Sequence, residues 1–267
     1  MNYFGMSDVG KIRDHNEDCF DIVSLADNAL LAVVCDGMGG LACGEIASRL
    51  ALDTFIDTVK RICALKISEN KLVLSDREAY LVLSNAATRA NQAVLDDRRE
   101  HPDRGEMGTT LVAAILCRNA NSATVSWINI GDSRIYTVDR RDILQVSRDH
   151  SYIQYMIDTG EITPAEAAHC KKNGLITRAV GIENEVDPDI DTFTLSAEEC
   201  AMTHILLCSD GFSGAISEEH CMTVVNNPTS PPRDKVEHLV ATARDADGSD
   251  NITLILIDLK GDGNGEL

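Results

Sequence analysis

Aspartates recur at the ends of apolar runs, and they are the residues in this sequence best suited to carry chemistry. Four of them stand at such ends, namely Asp36, Asp132, Asp210 and Asp250. If those runs are neighbouring strands, the acids meet at one edge, where their mutual repulsion is costly unless cations neutralise it. Carboxylate oxygens without histidine or thiolate are the ligands that hard ions such as Mg²⁺ and Mn²⁺ prefer. The pattern therefore predicts a divalent-metal site.

A single Asp-Gly pair has a simpler interpretation, because Asp-Gly is a common turn sequence. Asp36-Gly37 and Asp210-Gly211 are each compatible with that interpretation when taken alone. Four acids at the ends of four apolar runs instead favour a shared site. Glycine after Asp36 also allows a backbone carbonyl to turn toward a metal.

An arginine lies close to a Glu-Asp pair in the N-terminal stretch, where Arg13 precedes Glu17 and Asp18. A guanidinium group can hold a phosphate through two hydrogen bonds while nearby acids orient metal-bound water. Taken alone, Arg13 is explained as well by an ordinary surface ion pair.

Short apolar runs bounded by turn residues predict the strands that position these acids. The predicted strands are 21–24, 29–35, 110–116, 123–130, 134–138, 190–193, 205–209 and 252–259. Helical periodicity covers 45–66, 76–99, 218–225 and 234–245. Strands and helices in separate blocks, rather than in strict alternation, predict an α+β fold of mostly antiparallel sheets covered by helices.

Length and charge restrict the class of protein. A chain of 267 residues with 44% hydrophobic residues can form one substantial core, and we expect one domain over residues 1–260 with a disordered tail at 261–267. A net charge of −19 disfavours nucleic-acid and anionic-membrane surfaces, which need a basic face. Without a long apolar run or a signal-peptide pattern, we expect a cytoplasmic protein. A single domain without an extra apolar element fits a monomer.

Nine scattered cysteines without a C-x-x-C pair predict reduced, mostly buried thiols rather than a zinc site.

Seven segments in one order resemble a known family, the type 2C metal-dependent serine/threonine protein phosphatases, in their bacterial single-domain form. The segments span almost the whole chain: Ser7 to Asp18, Val34 to Gly40, Met107 to Thr110, Ile130 to Tyr136, Asp149-His150, Leu207 to Gly211 and Ser249 to Thr253. The resemblance implies a four-layer αββα sandwich, in which two antiparallel sheets are flanked by pairs of helices and the metal site lies at one edge.

The same resemblance implies roles for particular residues. Asp36, Asp210 and Asp250 would bind one Mn²⁺ or Mg²⁺ ion, and Asp36 with the carbonyl of Gly37 would bind a second. Glu17 would reach the second ion through water, and Asp18 would support the site from behind. Arg13 would bind the substrate phosphate, and Asp132 with Asp210 would form a third, weaker metal position.

The expected reaction is hydrolysis of phosphoserine and phosphothreonine in proteins, a partner Ser/Thr kinase among them. Two cations about 3.5 to 4 Å apart would share a water and lower its pKa, which prepares it for in-line attack on phosphorus without a covalent phosphoenzyme. Met38 follows Asp36-Gly37, and its thioether cannot donate a proton to the leaving alcohol. His150 is one candidate donor, and a histidine that fixes a turn before a helix at Ser151 is the alternative.

Three other functions compete with this expectation. Cys43 to Arg49 has the C-x₅-R spacing of a cysteine phosphatase, although the segment is typical of a helix start. Two segments rich in aspartate, Asp245 to Asp250 and Asp262 to Glu266, suggest calcium binding, but neither fits an EF-hand loop. A catalytically silent phosphoprotein-binding module would share the fold but would be expected to lack at least one of the acids.

The segment 151–188 contains Gly160, Gly174 and Gly181 and, by the resemblance, forms a flap beside the metal channel. We expect it to shape access for protein substrates.

Overall fold

Two antiparallel β-sheets, stacked on a shared apolar layer, form the centre of the molecule. The computed structural model describes residues 1–40, 43–167 and 174–260. The first sheet has the spatial order β1 (Asn2–Asp8), β13 (Ile252–Asp258), β12 (His204–Cys208), β9 (Arg134–Val138) and β10 (Ile143–Gln145). The second has the order β11 (Asp189–Ser196), β8 (Ser122–Ile130), β7 (Leu111–Arg118), β3 (Ala29–Gly39) and β2 (Asp18–Ala26), and the short β6 (Met107–Thr109) pairs with the end of β3.

Helices cover the outer face of each sheet. The six-stranded sheet packs against α1 (Cys43–Ala64) and α2 (Asp76–Glu100), which are joined by the hairpin β4 (Ile67–Ser68) and β5 (Lys71–Leu72). The five-stranded sheet packs against α7 (Glu218–Val225) and α8 (Pro232–Ala246). The shorter helices are α3 (Tyr152–Asp158), α4 (Pro164–Ala167), α5 (Ala197–Cys200) and α6 (Asp210–Ser213), and a 3₁₀ turn spans Pro102–Arg104.

Both faces of the central strands are buried, which explains why their sequences are continuously apolar rather than alternating. In β3, Leu31 and Val33 point toward α1 and α2, whereas Ala32 and Val34 point into the layer between the sheets. Three apolar layers result, one between the sheets and one under each helix pair. The α+β sandwich predicted from the sequence is confirmed.

Local signals explain where the longest helices begin and end. Ser75 and Glu78 form a capping box at the start of α2. Arg98 and Arg99 lie in its last turn, where a positive charge interacts favourably with the helix dipole.

The pattern analysis missed the strand β1, because none of its residues is fully buried. Its register on β13, from Asn2 opposite Asp258 to Asp8 opposite Ile252, comes from strand pairing and not from a local pattern.

Eight of the cysteines lie in the described ranges of the chain. They form no disulfide, and seven of them are buried. No helix in those ranges is long and apolar enough to cross a bilayer. The predictions for Cys170, for the tail 261–267 and its aspartate-rich segment Asp262 to Glu266, and for residues 168–173 of the flap segment lie outside the described residues.

Candidate metal centre

The four aspartates singled out in the sequence lie on the wall of one pocket of about 230 Å³ at the edge of the sandwich. Gly37, Glu17 and Arg13 line the same pocket. Seven of the eight predicted site residues are therefore neighbours in space, although they are drawn from separate parts of the chain. Asp18 is the exception, since it lies beneath the pocket wall.

Antiparallel pairing explains why the acids of each sheet come together. Cys208, at the end of β12, is opposite Leu254, near the start of β13. Asp210 follows β12 and Asp250 precedes β13, so the two acids meet at the same end of the five-stranded sheet.

The same argument brings Asp36 and Asp132 together in the six-stranded sheet. Leu111, at the start of β7, is opposite Ile130, at the end of β8. The residue before β7, Thr110, donates its N–H to the carbonyl oxygen of Asp36 at 2.8 Å. Asp132 follows β8 and Asp36 lies in β3, so one acid from each strand end faces the pocket.

Burial and crowding make the carboxylates difficult to ionise without a cation. Burial raises the pKa of Asp36 well above its usual value, and the charges of Asp18 and Asp210 add to the effect. Burial, followed by the charge of Asp250, also raises the pKa of Asp210. For Asp132, burial and the charge of Asp210 raise the pKa to about 7. Raised pKa values of this kind are typical of a group of acids that binds a cation.

Unpaired oxygens test whether these residues suit a cation. Within the described residues, Oδ1 of Asp210 and Oδ1 of Asp18 are buried without a hydrogen-bond partner. A buried, unpaired carboxylate oxygen is costly, and a bound ion is one of the few explanations for it. The donor set of carboxylates and a carbonyl also fits Mn²⁺ or Mg²⁺ better than a soft metal.

The carboxylates share the pocket without forming a finished ligand set. Across residues 1–40, 43–167 and 174–260, no group of three His, Cys, Asp or Glu side chains is arranged to hold a metal as it stands.

Arg13 donates to Oδ2 of Asp250 at 2.8 Å, and both side chains are partly exposed. Arg13 is thus an ion-pair residue, as the simpler interpretation predicted, but its partner is a candidate metal ligand.

Glu17 is held at the N-terminus of α1. The N–H of Gly44 donates to its Oε1 at 3.2 Å, and Oγ of Ser48 donates to its carbonyl oxygen at 2.6 Å. A Cβ on Gly37 would lie 2.2 Å from the carbonyl oxygen of Gly44. Only glycine at position 37 allows this close approach between the helix and the strand end that bears Asp36.

Asp18 ties the two sheets together behind the pocket. Its Oδ2 accepts hydrogen bonds from Oγ of Ser209 at 2.7 Å and from Oγ1 of Thr253 at 2.6 Å. Burial, only partly offset by these bonds, raises its pKa to about 6. The side chain can therefore position the neighbouring strand ends, as the resemblance implied.

Two residues that the sequence analysis quoted only as motif positions hold the site in shape. Thr110 accepts the N–H of Asp36 at 2.9 Å, and its hydroxyl lies 2.7 Å from that of Ser133. Asn251 accepts the N–H of Glu17 at 2.8 Å and donates to the carbonyl oxygen of His15 at 3.0 Å. Each is a polar residue at, or directly before, the start of a predicted strand, and this position was the available signal.

His150 fixes a turn and does not face the pocket. Its Nδ1 accepts the N–H of Gly131 at 3.2 Å, and its Nε2 lies 3.2 Å from Oδ2 of Asp189 and 3.1 Å from Nη1 of Arg178. Burial lowers the pKa of the ring. Ser151 caps α3, so the structure favours the structural alternative for His150 over the proton donor.

The competing sites find no support in the described residues. Cys43 and Arg49 lie in the first turns of α1, not in a phosphate-binding loop after a strand. Asp245 lies near the cationic groups of Lys11 and Arg244, and Asp247 accepts a hydrogen bond from Ser249. These contacts are those of a helix end and a turn.

The chain belongs to the protein phosphatase 2C family, whose model matches residues 12–253. A serine/threonine phosphatase of Listeria welshimeri is 31% identical over 252 residues, which cover 94% of this chain and 93% of that protein. The protein phosphatase PhpP of Streptococcus pneumoniae is 33% identical over 264 residues, with 95% and 96% covered. The resemblance inferred from the sequence motifs is confirmed, and with it the enzyme class.

Solved structures agree with this assignment. The serine/threonine phosphatase of Staphylococcus aureus superposes with a TM-score of 0.81 at 30% identity, covering 97% of this chain and 95% of that one. The catalytic domain of the phosphatase PstP, solved in complex with two manganese ions, gives a TM-score of 0.75 at 29% identity, with 96% and 97% covered.

Replacing Asp210 with asparagine should stabilise the protein in EDTA and remove its response to metal. An ionised carboxylate at this position carries the cost of burial and of repulsion by Asp250, and uncharged asparagine does not. We expect the melting temperature in EDTA to rise by about 2–4 °C, and the further rise that Mn²⁺ gives the wild type to be lost. A variant that melts lower than the wild type in EDTA, or that still responds fully to Mn²⁺, would contradict this electrostatic account.

Removing the hydroxyl of Thr110 should loosen Asp36. Thr110→Val leaves the N–H of Asp36 without its acceptor, which costs about 1–3 kcal/mol, and the Mn²⁺ concentration for half-maximal binding should rise severalfold in a calorimetric titration. Thr110→Ser keeps the hydroxyl and should bind Mn²⁺ as the wild type does. Equal binding by the valine and serine variants would show that the hydroxyl has no such role.

Proposed function

We propose that this chain hydrolyses phosphoserine and phosphothreonine in proteins, with two Mn²⁺ or Mg²⁺ ions held at the acid pocket. The observation that carries the proposal is the meeting of four aspartates, two from each sheet, on the wall of one pocket that also bears Arg13. The proposed domain comprises residues 1–260. Its expected substrates are phosphoproteins, a partner Ser/Thr kinase among them.

The ligands follow from the pocket wall. Asp210 and Asp250 would hold one ion, Asp36 would contact both, and the carbonyl oxygen of Gly37 would complete the second. Glu17 suits a contact through water, because α1 already holds one of its oxygens. Asp132 would serve a third position with Asp210, which is supported by the place of both acids on the pocket wall and by the charge of Asp210, which raises the pKa of Asp132.

The ions would supply an activated water and offset the charge that develops on the phosphoryl oxygens. Arg13 would bind two of those oxygens, since its guanidinium lies at the pocket mouth and is half-exposed to an incoming substrate. Asp18, Thr110 and Asn251 keep the acids in place through the hydrogen bonds described above. Such preorganised positioning lowers the cost of reaching the transition state.

The main alternative is a phosphoprotein-binding module on the same fold without turnover. Every acid expected at the site is present and lies on the pocket wall or, for Asp18, directly behind it. This observation favours an active enzyme, because a silent module has no need to maintain crowded, buried carboxylates.

Asparagine at Asp36 or Asp250 should nearly abolish turnover in a folded protein. We expect Mn²⁺-dependent phosphate release from a phosphothreonine peptide, and from p-nitrophenyl phosphate, to fall by about 10³-fold or more. The matched control is Asp57→Asn on the exposed side of α1, which should retain activity. Circular dichroism checks that each variant is folded.

Two outcomes would overturn the assignment. A folded Asp36→Asn enzyme with full activity would remove Asp36 from the site. A wild-type protein inert toward both substrates at every Mn²⁺ concentration would favour the binding module.

A further inference from the structure

A second cavity opens directly beside the acid pocket and is much larger. Its volume is about 680 Å³, and it shares Asp132, Asp210 and Gly174 with the acid pocket. A phosphate group needs only the smaller pocket. The larger volume is in the range that accommodates a small organic ligand or a few amino-acid residues. We refer to this second cavity as the side groove.

The side groove has an apolar part and a charged part. Helices α3 and α4 contribute Ile153, Ile157 and Pro164. The first turn of α7 contributes Glu218. A ligand that fits both parts carries an apolar portion and a positive charge, which is the chemistry of a peptide that contains lysine or arginine.

The other charges of the side groove are already compensated by groups of the protein or assigned to cations. Arg134 donates to both oxygens of Asp149 at 2.6–3.1 Å and also to the hydroxyl of Tyr136 at 3.0 Å. Asp132 and Asp210 belong to the proposed metal centre. Glu218 is exposed, and within the described ranges its carboxylate forms no salt bridge. The carboxylate of Glu218 is thus available for an ion pair with a ligand.

Helix capping alone does not explain Glu218. An acid in the first turn of a helix favours the helix dipole, and α7 has two of them, Glu218 and Glu219, behind the Ser217 cap. Only Glu218 lines the side groove. The pair therefore provides its own control, since both residues have the same charge and the same helical setting.

We propose that the side groove binds the polypeptide that flanks the phosphoresidue, and that Glu218 selects substrates with lysine or arginine in that flank. This inference rests on the proposed phosphatase function. The side groove is continuous with the acid pocket, so a polypeptide whose phosphoresidue lies in the acid pocket can extend into the groove. There the carboxylate of Glu218 would attract a basic side chain, in addition to the general attraction that a chain with a net charge of −19 exerts on basic peptides.

The test uses phosphothreonine peptides in which a single lysine or glutamate is moved through the four positions on either side of the phosphoresidue, with alanine elsewhere. The wild type should prefer lysine at one or two of these positions, with kcat/KM about threefold to fivefold above the alanine peptide, the range of an exposed ion pair. Glu218→Gln should remove this preference, Glu218→Lys should transfer it to glutamate, and Glu219→Gln should keep it. High salt should weaken it in the wild type.

The possible failures are distinguishable. A wild type that hydrolyses none of the peptides would contradict the phosphatase function itself. A wild type that hydrolyses all of them equally, or a Glu218→Gln enzyme that retains the lysine preference, would overturn the assignment of Glu218 while leaving the phosphatase function intact. Equal loss of preference in Glu218→Gln and Glu219→Gln would show a general charge effect and no specific groove contact.

Discussion

The repulsion among buried carboxylates at one end of the sandwich is the constraint on which the rest of the structure depends. Asp36, Asp132 and Asp210 all have raised pKa values, and in each case burial is the leading cause and a neighbouring acid the next. Such an arrangement costs free energy in the folded chain and is useful only where cations offset it. The net charge of −19 also requires bound cations, because a phosphate can approach this surface only where positive charge is concentrated.

The fold withstands this repulsion because the acids lie at or beside the ends of rigid strands. Their strands are buried on both faces by three apolar layers. The backbone N–H groups of Asp36 and Glu17 donate to the side chains of Thr110 and Asn251, and the carboxylate of Asp18 accepts from the hydroxyl of Ser209. Antiparallel pairing then places the end of one strand beside the start of the next. The N-terminal segment with Arg13 and Glu17 joins the same edge because β1 pairs with β13 and Asn251 holds the loop that follows it.

Much of the fold and most of the site could be predicted from local patterns. Continuous apolar runs identified the central strands, and acids at the ends of those runs identified the pocket wall, because both signals lie within a few residues of each other. The strand β1 could not be found in this way, since its half-buried residues carry no clear period and its position depends on a partner about 250 residues away in sequence. The roles of Thr110, His150 and Glu218 depend equally on distant contacts, so they became visible only when the groups around them were known.

The central claim is that side chains from both sheets meet around a pair of divalent cations, and anomalous diffraction at the manganese edge tests it most directly. In crystals grown with Mn²⁺, we expect two peaks about 3.5 to 4 Å apart in the acid pocket, with the carboxylate of Asp36 between them and Asp210 and Asp250 on one of the two. Manganese bound away from Asp36, or no peak in that pocket at saturating Mn²⁺, would contradict the account.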